Sequence, residues 1–196
     1  MTVLLVAGSP SEHSRSAALL DAAQLRLKFH GLHVERLQIR DLSPQALLLA
    51  DFNHPSVSRA AAQVARASAI VVATPVYKAA YSGVLKVFLD LLPQTALKDK
   101  LVLPLATGGS PNHMLAVDYA LRPVLQSLGA RHILPGIYAT DAQIVVLPQG
   151  GYHVHDDIAT RLEEAVNLLV AEALKSSPSV AGRFAPVQFS QVRCSV

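Results

Sequence analysis

The sequence predicts an α/β fold: one domain built on a doubly wound parallel sheet of five strands in the order 2-1-3-4-5. Two observations lead to this fold class. Apolar runs of strand length alternate with helical patterns at a spacing of roughly thirty residues. The run at residues 69–73 is apolar throughout, as in a parallel strand that is buried on both faces. In such sheets, ligands bind at the carboxyl ends of the strands.

The first strand and its loop contain the first chemical signal. Residues 3–7 are apolar, and residues 8–16 separate them from a helical pattern that contains Leu19, Leu20 and Ala23. The loop carries four hydroxyls and one guanidinium at a helix N-terminus, where free N–H groups and the helix dipole attract an anion. We therefore expect a phosphate there, while an ordinary serine-rich turn remains the alternative. The loop matches neither G-x-G-x-x-G nor the Walker pattern.

The segment that follows the first helix carries no chemical signal. Residues 32–39 alternate between polar and apolar side chains and predict the second strand. Residues 41–55 read as a polar connection punctuated by prolines, and residues 56–67 predict a weakly amphipathic second helix.

The third strand is predicted to end abruptly. Because Pro75 has no N–H for the ladder, we expect the chain to leave the sheet there, at the carboxyl end of residues 69–73. Residues 78–81 then form a short loop. Ser82 can cap a third helix, which Pro93 ends.

The fourth strand, residues 101–106, leads into a second candidate contact loop. Gly108 and Gly109 stand at its carboxyl end, where the lack of a Cβ lets backbone amides approach a flat ligand. A simple flexible turn is the alternative. The fourth helix covers residues 114–128, and Pro123 inside it predicts an irregular backbone around residues 118–122.

The end of the chain is predicted to be a fifth strand, an excursion and a last helix. The strand covers residues 132–139 and the excursion residues 144–155. The helix starts at Asp156 or Asp157 and runs to about residue 175, so the domain is 1–175. The tail, 176–196, is expected to be disordered or packed on a neighbouring subunit. His153, His155 and the two aspartates match no zinc pattern, and we predict no metal site.

Composition limits the class of protein. Half of the 196 residues are apolar, which is enough for one core without metal or disulfide. The one cysteine, Cys194, fits a cytoplasmic location. The net charge of +3 comes from scattered residues, which argues against nucleic acid as a partner, and the start of the chain resembles neither a signal peptide nor a membrane anchor.

Four stretches together resemble the NADPH-dependent FMN reductase family. They are GSPSEHSRS, ATPVYKAAYSGVLKVFLDLLP, LATGGSPNHMLAVDYALRPVL and YATDAQ. Within the family, the resemblance is to the reductases of bacterial two-component alkanesulfonate monooxygenase systems, and it covers about residues 1–145. It implies a flavodoxin-like fold, with FMN and NADPH as the cofactors.

The resemblance also implies the binding residues. Those for the flavin phosphate are Ser9, Ser14, Arg15 and Ser16. Those along the isoalloxazine are Pro75, Val76, Tyr77 and Lys78, with Ser82 and Gly83 at the helix start. Those for the pyrimidine edge are Thr107, Gly108 and Gly109. Hydride transfer from nicotinamide to flavin needs close stacking rather than an acid or base, so no catalytic residue is expected.

The implied function is reduction of FMN by NAD(P)H, with FMNH2 passing to a separate flavin-dependent monooxygenase that desulfonates an organosulfur compound. We expect a homodimer or homotetramer. Tyr119, whose carbonyl Pro123 leaves unpaired, would lie in a π-helical turn at the interface. The third helix has more apolar residues than one buried face needs, and we expect part of them to meet another subunit: Val84, Leu85, Phe88, Leu91 and Leu92.

Three other functions compete with this one. A flavodoxin-like electron carrier is disfavoured because carriers are typically strongly acidic, whereas this chain is net basic. An NAD(P)H:quinone or azo-dye reductase with bound FMN differs only in its second substrate, which no motif decides. A non-enzymatic binding domain would leave the serine and arginine loop unexplained.

Overall fold

The structure is a computed structural model, and it describes residues 1–149 and 151–175. Its strands are β1 (Thr2–Ala7), β2 (His33–Gln38), β3 (Ala69–Tyr77), β4 (Ala80–Tyr81), β5 (Leu101–Gly108), β6 (His132–Ile133), β7 (Ile137–Thr140), β8 (Ile144–Val146) and β9 (Tyr152–Val154). Its α-helices are α1 (Arg15–Phe29), α2 (Pro44–Leu48), α3 (Pro55–Arg66), α4 (Gly83–Asp90), α5 (Arg122–Ser127) and α6 (Asp156–Lys175). Two 3-10 turns, Ile39–Asp41 and Pro111–His113, and a π-helical turn, Val117–Leu121, complete the regular structure of this part of the chain.

The central sheet has the predicted strand order. Its path is β2-β1-β3-β5, and β6 and β7 both pair with the far side of β5. All of these pairings are parallel. The registers Ala7 with Ala73 and Pro75 with Thr107 show that β1, β3 and β5 end at the same edge. The prediction of a doubly wound sheet in the order 2-1-3-4-5 is therefore confirmed.

The fifth strand is interrupted, which the sequence analysis did not anticipate. Its first part pairs Ile133 with Val102, and pairing resumes with Ile137 opposite Leu105. Between these points β5 contains Pro104, which has no N–H to donate to a neighbour. A Cβ on Gly136 would lie 2.4 Å from Val117 Cγ1 and 3.3 Å from Pro104 Cγ. The strand therefore breaks into β6 and β7 where a proline and a tight packing contact coincide.

The strand β3 continues through Pro75, contrary to our expectation that the chain leaves the sheet there. It extends to Tyr77, and Pro75 is in register with Thr107 of β5. On the other side of β3, pairing with β1 ends at Ala73, so Pro75 has no β1 neighbour. With that neighbour gone, the missing N–H of Pro75 costs the ladder nothing, and proline is tolerated in such an edge segment.

Two apolar cores lie on the two faces of the sheet. Alternate residues of β1 separate between them: Val3 and Leu5 pack with α1 and α6, whereas Leu4 and Val6 pack with α2, α3, α4 and α5. Both faces are covered, as the continuous apolar strands require. The last helix begins at Asp156, one of the two predicted starts.

The connection at residues 41–55 contains a helix that the sequence analysis missed. Ser43 caps α2 by accepting a hydrogen bond from the Ala46 N–H at 3.3 Å, and Pro44 occupies the first helical position. A serine followed by proline is a usual helix start, so the signal was present. Two residues of this five-residue helix, Ala46 and Leu47, are buried.

The residues of α4 do not provide the free face that we expected. Leu85, Phe88, Leu91 and Leu92 are all buried in the core of their own chain, and Val84 is half-buried. They share one core with residues of the sheet, the first 3-10 turn, α2, α3 and α5, so the apolar residues of α4 give no evidence of a subunit contact. No helix in the described residues is long and apolar enough to span a membrane. The predicted tail, 176–196, lies outside those residues.

Candidate functional site

Three loops meet at the carboxyl edge of the sheet and enclose a crevice of about 270 Å³. The first follows β1, the second is the end of β3, and the third follows β5. The crevice is lined by Ser11, His13, Ser14, Arg15, Pro75, Val76, Tyr77, Thr107, Gly108, Gly109 and Asp141. The predicted convergence of the three loops is therefore present in the structure.

The first loop offers free hydrogen-bond donors to the crevice. Ser14 caps α1, since its hydroxyl accepts from the Ala17 N–H at 3.0 Å and its carbonyl from the Ala18 N–H at 3.1 Å. The N–H groups of Arg15 and Ser16, in the first turn, have no carbonyl within the helix to bond. An anion at this end of α1 would meet these groups and the positive end of the helix dipole.

Arg15 is held in place by groups from the far end of the chain. Its Nε donates to the Ile144 carbonyl at 3.0 Å, and its Nη1 lies 3.5 Å from Asp141 Oδ2. Asp141 follows β7 and also lines the crevice. Sequence reasoning assigned no role to Asp141, although the residue belongs to the YATDAQ stretch. The guanidinium is thereby aimed at the crevice with one carboxylate already beside it.

The end of β3 turns back through a strained two-residue hairpin. Val76 pairs with Tyr81 and Tyr77 with Ala80, and the turn residues Lys78 and Ala79 have φ of 51° and 64°. Turns with two left-handed residues usually contain asparagine or glycine, and other residues cost about 1–2 kcal/mol each. Strain of this kind is concentrated at functional sites. Lys78 itself lines an adjoining groove with Val76, Tyr77, Ala79 and His113.

The glycine loop after β5 is shaped by Tyr138 beneath it. A Cβ on Gly108 would lie 2.5 Å from the Tyr138 hydroxyl, so any larger residue would force this side chain to shift. That hydroxyl donates to the Ser110 carbonyl at 2.6 Å. Burial raises the pKa of Tyr138, and the Asp141 carboxylate raises it further, so the phenol remains a donor. Gly109 is open, with Asp141 Oδ2 at 3.8 Å as the nearest atom to an added Cβ.

Thr107 contributes a polar group to the crevice floor. The residue is 3% exposed, and no hydrogen bond to its hydroxyl is found within residues 1–149 and 151–175. The hydroxyl oxygen is not among the fully enclosed unpaired atoms, so it is open to the crevice and can pair with a ligand there. Thr107 therefore points to a polar ligand at this end.

Several predicted site residues lie behind the crevice rather than in it. Ser82 is fully buried: its hydroxyl donates to the Gly8 carbonyl and accepts from the Leu85 N–H at 3.2 Å. Gly83 is exposed at the start of α4. The buried Ser9 hydroxyl accepts from the Ser11 N–H at 3.1 Å, within the first loop.

Ser16 is also buried, and its hydroxyl is 3.2 Å from that of Ser14. These two hydroxyls can exchange donor and acceptor roles, so Ser16 supports the side chain that faces the crevice. Ser9, Ser16 and Ser82 therefore shape the loops around the crevice, whereas Ser11 and His13, which the sequence analysis did not select, line it directly.

The excursion after β7 is an antiparallel hairpin tied to the last helix. Gln143 accepts from the Thr140 N–H at 2.9 Å and donates to Asp157 at 2.6 Å, and His155 lies 2.8 Å from the same carboxylate. Burial alone would raise the pKa of Asp157, but the hydrogen bonds from His155, Ile158 N–H and Gln143 lower it. Within the described residues no group of three or more His, Cys, Asp or Glu is arranged to hold a metal.

The predicted irregularity before Pro123 is present as the π-helical turn Val117–Leu121. Tyr119 lies in this turn and is 78% exposed. It borders a groove with Ala79, His113 and Leu115, which adjoins the hairpin after β3. The π-helical turn is therefore the irregularity that the missing N–H of Pro123 predicts.

Residues 1–144 match the sequence model of a family described as NADPH-dependent FMN reductase. The chain belongs to this family. It is 47% identical over 172 residues to the FMN reductase (NADPH) of Escherichia coli K12, covering 85% of this chain and 86% of that protein. The predicted enzyme class, with FMN and NADPH as cofactors, is thereby confirmed.

Solved structures support the same family and fold. The apo form of the NADH:FMN oxidoreductase EMOB superposes with a TM-score of 0.80 at 38% identity, covering 93% of each chain. A flavodoxin of Streptococcus pneumonia TIGR4 superposes with a TM-score of 0.61 at 17% identity, covering 87% of this chain and 98% of that one. The second likeness concerns the fold alone, and it confirms the predicted flavodoxin-like architecture of this reductase.

The contact between Gly108 and Tyr138 generates a stability prediction. Gly108→Ala should lower the free energy of unfolding by about 1–3 kcal/mol, because its methyl group meets the phenol oxygen. Tyr138→Phe alone should cost about 0.5–1.5 kcal/mol through loss of the bond to Ser110. In the double variant the two losses should not add, because the nearest remaining atoms are 3.4 Å away. Urea denaturation measures all three.

Gly109→Ala is the matched control for this prediction. Its methyl group would have only Asp141 Oδ2 nearby, at 3.8 Å, so its stability should change little. Additive losses in the double variant would contradict the steric account of Gly108.

Proposed function

We propose that this chain binds FMN in the crevice, reduces it with NADPH by direct hydride transfer, and releases FMNH2 to a separate flavin-dependent monooxygenase. The observation that carries the proposal is that the two ends of one crevice differ in chemistry. An end rich in N–H, hydroxyl and guanidinium donors lies at α1, and an open glycine end lies after β5. FMN has a phosphate at one end and a flat ring at the other, so the donor set fits the cofactor.

At the phosphate end, we propose that Ser9, Ser14, Arg15 and Ser16 form the binding loop. The free N–H groups of the first turn of α1 and the Arg15 guanidinium supply donors, and charged hydrogen bonds contribute about 1.5–3 kcal/mol each. The contacts of Arg15 with Ile144 and Asp141 favour this role, since a guanidinium that is already ordered loses little side-chain entropy on binding.

At the ring end, the proposed contacts are Pro75, Val76, Tyr77, Lys78, Thr107, Gly108 and Gly109. The exposed Gly109 lets backbone groups approach a flat ring, and the Thr107 hydroxyl gains a partner. Direct contacts of Ser82 and Gly83 with flavin stay predictions. The buried hydrogen bonds of Ser82 favour a positioning role, because they fix the first loop against the start of α4.

NADPH supplies the hydride, and the one proton that FMNH2 needs in addition comes from water at the open edge of the crevice, so the role of the chain's own residues is to bind and orient. When bound, FMN supplies the acceptor for the two electrons that NADPH donates. Stacking of the two rings needs open space above the flavin, which the exposed edge formed by Tyr77 and Gly109 offers.

The proposal extends to partners and location. We propose that the monooxygenase acts in the use of organosulfur compounds such as sulfonates, an extension that rests on the resemblance of the sequence. The single cysteine supports a cytoplasmic location.

We also propose a homodimer or homotetramer, in which the π-helical turn meets another subunit. The support is a set of four exposed apolar side chains, two of which line the groove at the π-helical turn and one the groove that adjoins it. Its members are Tyr77, Met114, Leu115 and Tyr119. Exposed apolar groups of this size often mark contacts between proteins.

From the proposed role of Arg15 at the phosphate end, we expect Arg15→Ala to weaken the binding of FMN far more than the binding of riboflavin, which has no phosphate. The loss should be roughly 1.5–3 kcal/mol in binding free energy. The side chain is 36% exposed, so solvent screening favours the lower part of this range. Fluorescence titration with both flavins measures the effect, with the exposed Arg161→Ala on α6 as the control. An equal loss for FMN and riboflavin would show that Arg15 does not contact the phosphate.

If flavin leaves the protein after each turnover, dialysed protein should be colourless, and added FMN should restore NADPH oxidation. Binding at micromolar strength, about −8 kcal/mol, is compatible with release during turnover. The measurement is the absorbance of dialysed protein and its activity with and without FMN. Flavin that survives dialysis, with full activity and no addition, would favour a quinone or azo-dye reductase with bound FMN instead.

The proposed interface predicts that Tyr119→Ala changes the oligomeric state or the retention of flavin. Sedimentation at micromolar concentration and FMN titration measure both. Phe29→Ala, which removes a 90% exposed ring at the end of α1, is the control and should change neither. If Tyr119→Ala keeps its assembly, affinity and turnover, the π-helical turn is only a packing adjustment around Pro123.

A further inference from the structure

A second cavity, of about 240 Å³, lies on the β2 side of the first loop. Its wall includes Ser11, His13 and Ser14, which also line the crevice, so the two spaces are separated only by the first loop. The opposite wall is formed by Arg36 of β2 and by Arg40 of the 3-10 turn that follows. The reduction of FMN as described above uses none of this second wall.

Both arginines have hydrogen-bonding capacity to spare. The Nε atoms of Arg36 and Arg40 are buried and have no hydrogen-bond partner within the described residues. Arg36 does pair with Asp21 through Nη1. The ion pairs of Arg40 are loose: Nη2 is 3.8 Å from Glu12, and Nε is 3.5 Å from Asp41 without hydrogen-bond geometry.

Buried donors of this kind are costly unless something satisfies them. The two Nε groups are enclosed, and the donors that a ligand in the cavity can reach are the Nη groups: within the described residues no hydrogen bond is found for Arg36 Nη2 or for either Nη of Arg40. Two guanidinium groups of this kind, beside the hydroxyls of Ser11 and Ser14, form a suitable site for a phosphomonoester. The carboxylates at the cavity do not block an anion. Glu12 is 73% exposed and holds Arg40 only at 3.8 Å, so it can turn into solvent, while Asp21 remains paired with Arg36.

We propose that this cavity binds the 2′-phosphate of NADPH, and that Arg36 and Arg40 determine preference for NADPH over NADH. This inference rests on the proposed function. FMN has a single phosphate, for which the N-terminus of α1 and Arg15 provide donors. The other substrate has further phosphates, and the phosphomonoester on its adenosine ribose is the group that NADH lacks. A site across the first loop from the flavin phosphate is suited to that group.

The test compares ligands that differ by one phosphate. Flavin-free protein is titrated calorimetrically with 2′,5′-ADP and with 5′-ADP, and kcat/KM is measured with NADPH and with NADH. The native protein should bind 2′,5′-ADP about 10-fold tighter or more. Arg36→Gln and Arg40→Gln should each abolish most of this difference in affinity. In each variant, kcat/KM with NADPH should fall about 10- to 100-fold, whereas kcat/KM with NADH should change less than about 2-fold.

Two controls accompany these variants. Arg59→Gln removes the same charge from an exposed position on α3. It should change neither the ratio of the affinities for 2′,5′-ADP and 5′-ADP nor the ratio of kcat/KM with NADPH and with NADH. Arg40→Lys keeps the charge without the planar fork and should retain part of the preference.

Three results would overturn the inference. An equal fall with both donors would show that the arginines act on the protein as a whole. Weaker binding of FMN, with the donor ratio unchanged, would assign the cavity to the flavin phosphate. Unaltered titrations and kinetics would show that the cavity binds neither nucleotide. Reduction of FMN by NADH is measured in each variant, so the proposed function is tested separately from the preference.

Discussion

The in-register parallel pairing of β1, β3 and β5 is the constraint on which the rest of the structure depends. Because these strands run the same way and end together, the loops that follow them must meet at one edge of the sheet. The same pairing buries both faces and so requires helices on each side. The site is thus a consequence of the sheet, and the loops supply only its chemistry.

A buried group of polar contacts connects that sheet to the loops. The Ser82 N–H donates to Thr74 Oγ1 at 2.9 Å, while its hydroxyl bonds the Gly8 carbonyl. Gly8 in turn donates to the Ala73 carbonyl at 2.8 Å, and a Cβ there would lie 3.0 Å from that same oxygen. These bonds hold the first loop, the end of β3 and the start of α4 as one unit, so the chain's own contacts fix the walls of the crevice. Preformed sites lose little binding energy to ordering.

The crevice also concentrates features that oppose stability. The hairpin at Lys78 and Ala79 has two left-handed residues, and the Thr107 hydroxyl has no hydrogen-bond partner in the part of the chain that the structure describes. A sequence selected for folding alone would avoid such features. Their clustering on one edge supports the functional assignment independently of family membership, because binding is what they have in common.

The sequence by itself determined the sheet order, the two helical layers, the irregular turn before Pro123 and the convergence of three loops. These features follow from the periodicity of buried residues and from the backbone restrictions of proline and glycine, which act locally and can be recognised in a short stretch of sequence. Only the tertiary structure decided that β3 continues past Pro75, that α4 is enclosed by its own chain, and that Ser82 faces the Gly8 carbonyl. It alone brought Arg15 to the Ile144 carbonyl, 129 residues away, and Arg36 and Arg40 to the first loop. The physical reason is that such contacts depend on which segments become neighbours, and a local pattern reports how buried a residue is but not what it touches.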